Sequence, residues 1–451
     1  DDVESRGLGD VYKRQGYDLM TVYYYTFGCK VNQYETSVIE GMMKRRGFDT
    51  SRTIAQADIC IINSCTVTAS ADTKLRQTVN RIKRENPAAV IVVCGCFAQV
   101  YPDSDILKLS DIIVGEANKT KIPDLVQKYL CDGKRIKDVH AHEKGEKIER
   151  MNLEERAGKT RAVMKIQDGC NMFCSYCIIP YARGRSRSKP LDEIEKEAAG
   201  LVSSRHKELV LVGINLSCYG FDLEPKVSIA DAVERVCQTS GADRVRLGSI
   251  EPELLSEGII KRLSENKALC PHFHLSLQSG CDKTLKCMRR RYTSKEYSDI
   301  VNLLRKYFPT CAITTDVMVG FPGETDADFS ESLEFVKSIG FAKVHVFPYS
   351  ARKGTLAADM PNQVDNAVKL ERADIMSSAA KSSEQNYLKS LIGTRQSVLF
   401  EREKDEDWHQ GHTRCYTLVK VKRTRETLWR QIKDVKITEA CDDYCTGKII
   451  E

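Results

Sequence analysis

Three thiols fall within eight residues at Cys170-Asn-Met-Phe-Cys174-Ser-Tyr-Cys177, directly after a strand-like run from Val163 to Gln167. A four-iron cluster usually takes four cysteinates, so three at this spacing would leave one iron open to a substrate or cofactor. A zinc knuckle short of one ligand and a set of buried free cysteines are the competing readings. Zinc sites usually carry a second Cys or His pair at a regular distance, and none follows here. A second trio is scattered along the chain: Cys29 in Gly28-Cys29-Lys30-Val31-Asn32-Gln33, Cys65 in Asn63-Ser64-Cys65-Thr66-Val67-Thr68, and Cys96 in Gly95-Cys96-Phe97-Ala98-Gln99.

Scattered thiols can meet only if the fold brings their positions together. The runs Thr21–Thr26, Asp58–Asn63, Ala89–Val93 and Asp111–Gly115 are short, β-rich and separated by helical lengths, which predicts βα units and a parallel, Rossmann- or flavodoxin-like sheet over 20–131. Ligands of such sheets lie outside the carboxyl ends of the strands, and Cys29, Cys65 and Cys96 each follow such an end. Each is flanked by Gly, Asn or Ser suited to a tight turn. Packing as small hydrophobes is the alternative for any one of them. Cys60 and Cys94 lie inside strands and read as packing residues, although Cys94 would share a face with Cys96, and could substitute for it, if the strand ran on.

A charged stretch over 132–159 reads as a linker or exposed hairpin. From 160 to 388, strand candidates recur with helical spacing at Ala162–Gln167, Glu208–Gly213, Arg244–Ser249, His272–Gln278, Ile313–Gly320 and Ala342–Tyr349, which predicts a partial or full parallel (β/α) barrel. Its strand-end edge would carry the Cys170 loop together with Gly213, Asn215, Ser249, Glu251, Gln278, Ser279, Asp316 and the Pro322-Gly323-Glu324 turn. These are candidate contacts for a cofactor's polar groups, or caps of the helices that follow. Over 389–451 short alternating runs such as Ser397–Phe400, Tyr416–Val421 and Val435–Ile437 predict a small antiparallel β-barrel.

Three basic groups are candidate phosphate contacts: Arg183, Arg185, Arg187 and Lys189; Arg289, Arg290 and Arg291 with Tyr292; and Lys420, Lys422, Arg423, Arg425, Trp429 and Arg430. The last interleaves base and aromatic as a single-strand or loop RNA binder does. Solvated faces and protected sheet edges are the competing readings.

The 451 residues, 41% hydrophobic and 29% charged, suit two to three globular domains, and a net charge of +6 leaves any nucleic-acid affinity to local clusters. Eighteen cysteines without a secretory leader suit a reduced, cytoplasmic setting, and no apolar run is long enough for a bilayer. Residues 1–19 have no periodicity and read as extraneous, with Met20 the expected native start.

With Tyr176 just before its last cysteine, the Cys170 motif resembles the signature of radical S-adenosylmethionine enzymes. From Met20 to Glu451 the chain resembles the radical S-adenosylmethionine methylthiotransferases, which join an amino-terminal three-cysteine domain, a radical barrel and an RNA-binding β-barrel called TRAM. The resemblance implies two 4Fe-4S clusters, one on Cys170, Cys174 and Cys177 and an auxiliary one on Cys29, Cys65 and Cys96, with S-adenosylmethionine as cofactor. Tyr176 joins the candidate cofactor contacts. The cofactor would supply a 5′-deoxyadenosyl radical, and the auxiliary cluster would present the methylated sulfur. Gly28-Cys29-Lys30-Val31-Asn32-Gln33-Tyr34-Glu35 with Cys65-Thr66-Val67-Thr68 is most similar to the branch acting on threonylcarbamoyladenosine beside the anticodon of tRNA. Sister branches act on isopentenyladenosine or on an aspartate of a ribosomal protein. The chain departs from the family pattern at Phe27 and Ser64, where Leu and Thr are expected, and in Val92-Val93-Cys94 before Gly95-Cys96. A tRNA substrate, a reductase or flavodoxin-type electron donor and a monomer are implied. A non-catalytic iron-sulfur redox sensor that binds RNA is the rival from another class.

Overall fold

The computed structural model describes residues 20–152, 159–239, 241–402 and 405–450. The expectation for residues 1–19 lies outside them. The chain divides into two compact units. Of the described residues, the first takes 20–152 and, from further along the chain, Ile178–Arg185; the second takes 159–177 and those from 186 onward.

The first unit holds a parallel six-stranded sheet in the order β2-β1-β3-β4-β5-β6, with β1 Thr21–Thr26, β2 Asp49–Thr50, β3 Ile59–Ser64, β4 Val90–Gly95, β5 Ile112–Val114 and β6 Ile136–Asp138. Every residue of β3 and β4 is buried, as expected where helices cover both faces of a parallel sheet. The helix Ala69–Glu85, capped by the Thr68 hydroxyl on the Ala71 N–H, packs Leu75, Val79 and Ile82 on Cys60, Ile62, Ile91 and Val93.

The expected linker over 132–159 differs from what is found. Ile136–Asp138 adds the sixth strand, pairing in parallel with β5, and Ile148 and Met151 are buried. The Tyr34 hydroxyl donates to the Met151 carbonyl, and the Thr120 N–H donates to Glu149 at 2.7 Å. An edge strand of three residues with charged neighbours carries too little apolar signal to separate from a loop.

In the second unit, β7 (Arg161–Lys165), β10 (Glu208–Val212) and β11 (Arg244–Leu247) pair in parallel. The last strand resumes after Gly248 as β12 (Ser249–Ile250), which begins the parallel array β12-β13-β14-β15 with His272–Leu275, Ala312–Val319 and Lys343–Pro348. These are the six expected barrel runs. A short antiparallel pair, β8 (Gln167–Asp168) with β9 (Arg187–Ser188), brackets the Cys170 loop.

Five strands close the carboxyl-terminal barrel: β16 Arg395–Phe400, β17 Trp408–Thr413, β18 Leu418–Lys422, β19 Ile432–Ala440 and β20 Cys445–Ile449. This barrel docks on the starting ends of β7, β10 and β11. Arg244 donates to the His412 and Ser397 carbonyls at 3.0 and 2.8 Å, and Arg246 donates to Glu208 at 2.8 Å and to the Arg414 carbonyl at 2.9 Å. Arg161 meets Glu401 at 2.7 Å, and the Tyr416 ring lies 4.7 Å from the Arg246 guanidinium and 4.7 Å from the His412 ring. Among the described residues no helix is long and apolar enough to cross a membrane.

Candidate functional site

The scattered trio meets at one edge of the first unit's sheet. Cys29 immediately precedes the helix Lys30–Arg45, Cys65 follows β3, and Cys96 opens the helix Cys96–Val100. Register sets Ser64 beside Gly95, so Cys65 and Cys96 leave neighbouring strands together. The turns need glycine. Gly28 has φ +98°, and a Cβ there would lie 2.7 Å from the Cys65 Cβ and 2.9 Å from its Sγ. Gly95, at φ +96°, would put a Cβ 2.5 Å from Asn63 Oδ1. Because β4 ends at Gly95, strand alternation does not carry on to Cys96; Cys94 is fully buried within the strand, and burial pushes its thiol up to about 12. Ser64 donates its hydroxyl to the Cys94 carbonyl at 2.6 Å.

Beneath this edge lies a buried ionic network. Lys119 bonds Glu35 at 2.6 Å and also Glu116. Arg183, expected as an RNA contact, is fully buried and bonds Glu35 at 2.9 Å. Burial raises the Cys65 and Cys96 thiols, and the Arg183 charge pulls both back.

In the second unit the contiguous trio sits past β7, with Cys174 buried and Cys170 and Cys177 half-buried. Three donors aim at its sulfurs: the Met172 N–H at 3.5 Å and Asn215 Nδ2 at 3.9 Å from Cys170, and Arg290 Nη1 at 3.4 Å from Cys174. Gln167 ties the loop in place, with Nε2 donating to the Gly169 carbonyl at 2.8 Å while Oε1 accepts from the Ile214 and Asn215 N–H groups at 2.8 Å each. Gly213 serves that close approach, since a Cβ there would meet Gln167 Oε1 at 2.7 Å. Glu251 pairs with Arg290; burial pushes its carboxyl up against the pull of that guanidinium. Tyr176 packs on Met288, Phe321, Tyr349 and Ala357.

The remaining candidates divide. Gln278 holds φ +68° and bonds the Asp316 carbonyl at 2.9 Å. Asp316 stands within β14, 3.2 Å from His274 Nε2, and Ser249 is exposed. Ser279 accepts from the Cys281 N–H at 3.2 Å, and Glu324 bonds Arg372 at 2.8 Å, so both are taken up locally. Sequence reasoning missed Glu253, whose carboxylate oxygens are both buried with no hydrogen-bond partner among the described residues. It also missed Arg290 as a sulfur-facing residue.

Of the expected RNA contacts, Arg183, Arg187, Lys189 and Arg290 are buried. Lys189 bonds Glu197 at 2.5 Å, and Arg187 lies 3.9 Å from Asp168. Their carboxylate partners, remote in sequence for Arg183 and Arg290, take up the charge. Arg185, Arg289, Arg291, Lys422, Arg423 and Arg425 are exposed. Trp429 turns inward, its indole N–H reaching Thr160 at 3.2 Å beside a cleft of about 550 Å³. On the outer face of β17 and β18, Lys422 Nζ lies 4.1 Å over the Trp408 ring and Lys420 Nζ 4.3 Å over the Tyr444 ring.

Both trios offer a sulfur-only donor set, which suits iron-sulfur clusters. Among the described residues no three Cys, His, Asp or Glu side chains converge tightly enough for a single ion, and a four-iron cube spreads its ligands wider than one zinc does. Hydrogen bonds aimed at Cys170 and Cys174, and the buried Asn215 Oδ1 beside them, which has no hydrogen-bond partner among the described residues, fit a bound group at the contiguous trio.

Residues 164–336 match the Radical SAM superfamily, and residues 21–115 match the uncharacterized protein family UPF0004. The chain is 37% identical to a Bacillus subtilis protein named threonylcarbamoyladenosine tRNA methylthiotransferase, over 96% of this chain and 97% of that one. The chain belongs to the radical S-adenosylmethionine methylthiotransferases of tRNA. A Thermotoga maritima relative with the same name is 38% identical over 85% of this chain and 87% of its own. A tRNA-2-methylthio-N(6)-dimethylallyladenosine synthase of Clostridium tetani is 37% identical over 95% and 96%. Among solved structures, a radical S-adenosylmethionine methyltransferase from Kitasatospora setae, with cobalamin and a 4Fe-4S cluster bound, matches with a TM-score of 0.57 at 13% identity over 75% of this chain and 74% of that one, a likeness of fold. The methylthiotransferase cofactors are S-adenosylmethionine and two 4Fe-4S clusters.

Proposed function

We propose that this methylthiotransferase converts N6-threonylcarbamoyladenosine, at adenosine 37 beside the anticodon, to its 2-methylthio form. The motif Gly28–Glu35 with Cys65–Thr68 carries this reading, supported by relatives of that name at 37–38% identity. A bound S-adenosylmethionine supplies the radical that activates an inert carbon-hydrogen bond. Cys170, Cys174 and Cys177 would hold the cluster that binds it, and Cys29, Cys65 and Cys96 the auxiliary one. Asn215 and Arg290 direct hydrogen bonds to the first set of sulfurs, while Gln167 and the packed Tyr176 fix the loop. Arg185 in the first unit, and Arg289, Arg291 and the Trp408–Lys422 and Tyr444–Lys420 pairs in the second, are the groups each unit would offer to RNA. A cytoplasmic monomer with a reductase or flavodoxin-type donor completes the proposal.

Nucleosides from cells lacking the gene test it. Mass spectrometry should show threonylcarbamoyladenosine without its methylthio group. Loss of the group from isopentenyladenosine instead would favour the second reading, which rests on relatives such as the Clostridium tetani protein at 37% identity. A non-catalytic sensor would carry full iron and sulfide yet form no 5′-deoxyadenosine from S-adenosylmethionine under anaerobic reduction.

A further inference from the structure

The chain leaves the second unit directly after Cys177 and spends Ile178–Arg185 in the first. There the short helix Ile179–Arg183 delivers a guanidinium with no solvent exposure. Arg183 Nη1 donates to Glu35 Oε1 at 2.9 Å, and Nη2 donates to Glu35 Oε2 at 3.2 Å and to Asn32 Oδ1 at 2.8 Å; Glu116 lies 3.4 Å away. Asn32 is the relay to the thiols. Its Oδ1 accepts from the protonated Cys29 thiol at 3.4 Å, a bond that a ligating thiolate gives up, and its Nδ2 donates to the carbonyl of Ser64, the residue before Cys65, at 3.1 Å. With Lys119 on the same two carboxylates, two cations and two anions sum to zero.

Burying four charges costs more desolvation than an apolar plug of equal volume, so packing alone does not account for the network. Its position does. An iron-sulfur cluster on thiolates brings negative charge into a poorly solvated place, where hydrogen bonds and nearby charges set its reduction potential.

We propose that Arg183 is a positioning residue of the auxiliary cluster: its fork fixes Asn32 on the Ser64 carbonyl, in the turn that presents Cys65, and its charge favours the reduced cluster on Cys29, Cys65 and Cys96. This rests on the reading of those three cysteines as ligands. Arg183 also makes the chain that carries Cys177 part of the auxiliary site's own foundation.

The test uses the full chain with Cys170, Cys174 and Cys177 replaced by Ala, so that one cluster remains, reconstituted with iron and sulfide and titrated under electron paramagnetic resonance. Arg183→Met should lower the one-electron reduction equilibrium about tenfold, a midpoint about 59 mV more negative. Glu35→Gln with Arg183→Met returns the network to zero charge and should recover most of that shift, Glu35→Gln alone should raise the midpoint, and Arg183→Lys should hold it near the parent value with an altered line shape, because lysine keeps the charge and loses the fork. Full iron with an unmoved midpoint in Arg183→Met, or no recovery in the double variant, overturns the proposal. If Arg183→Met holds no iron, Glu35→Gln decides it: a midpoint above those of the parent and of Arg183→Lys supports the proposal, and equal midpoints in the two variants overturn it. A parent lacking the contiguous trio that binds no iron overturns the ligand reading instead.

Discussion

Arg290 stands between Arg289 and Arg291, both exposed, yet its own guanidinium is buried against Glu251 and the Cys174 sulfur. Arg290→Met would leave a buried carboxylate without its counter-charge, a loss of about 3–5 kcal/mol. Urea denaturation should show it as a lowered midpoint, whereas Arg289→Met should stay within about 0.5 kcal/mol of the parent. The sequence presents three adjacent arginines as one basic patch because what separates them is a partner 39 positions away. Arg183 is the same case, with Glu35 148 positions distant. The six cysteines can be singled out as candidates for the opposite reason: their cue is local, a thiol at a fixed spacing or at a strand end.

At the scale of elements, apolar runs revealed the strands, because burial on both faces of a parallel sheet leaves little room for alternation. Ile136–Asp138 escaped because an edge strand needs no such run. The turn after β4 makes a sharper demand. Gly95→Ala would strain a positive φ by about 1–3 kcal/mol and press on Asn63 and the Ser64 carbonyl. Iron analysis in the background lacking the contiguous trio should show depleted auxiliary iron. The carboxyl-terminal barrel adds a pH dependence of its own. Burial would raise the Glu401 carboxyl, but the His412 hydrogen bond and the Arg161 charge overcome it and hold it at about 2. A lowered folded value gives stability that is present above the ordinary carboxyl value of 4.5 and lost as pH falls toward about 2. Glu401→Gln should therefore cost roughly 2–3 kcal/mol at neutral pH and nothing near pH 2, read from urea midpoints across that range.

For the molecule as a whole, affinity for tRNA should be divided among separate surfaces. Lys420→Ala and Lys422→Ala should each reduce the salt slope of binding by about 0.7–0.9 for every phosphate that the lysine neutralises. Trp408→Ala should weaken binding by about 1–3 kcal/mol if a base stacks there. Trp429→Ala should leave affinity unchanged and loosen the barrel, since its indole is engaged by Thr160; filter binding over a salt series separates the two. The chain's own route has one more result. Because Ile178–Arg185 completes the first unit, a fragment ending before residue 153 would remove Arg183 from the network of Glu35, Glu116 and Lys119. The two modules are thus stitched rather than strung: neither can be cut out, traded between relatives or expressed by itself without tearing a thread that belongs to the other.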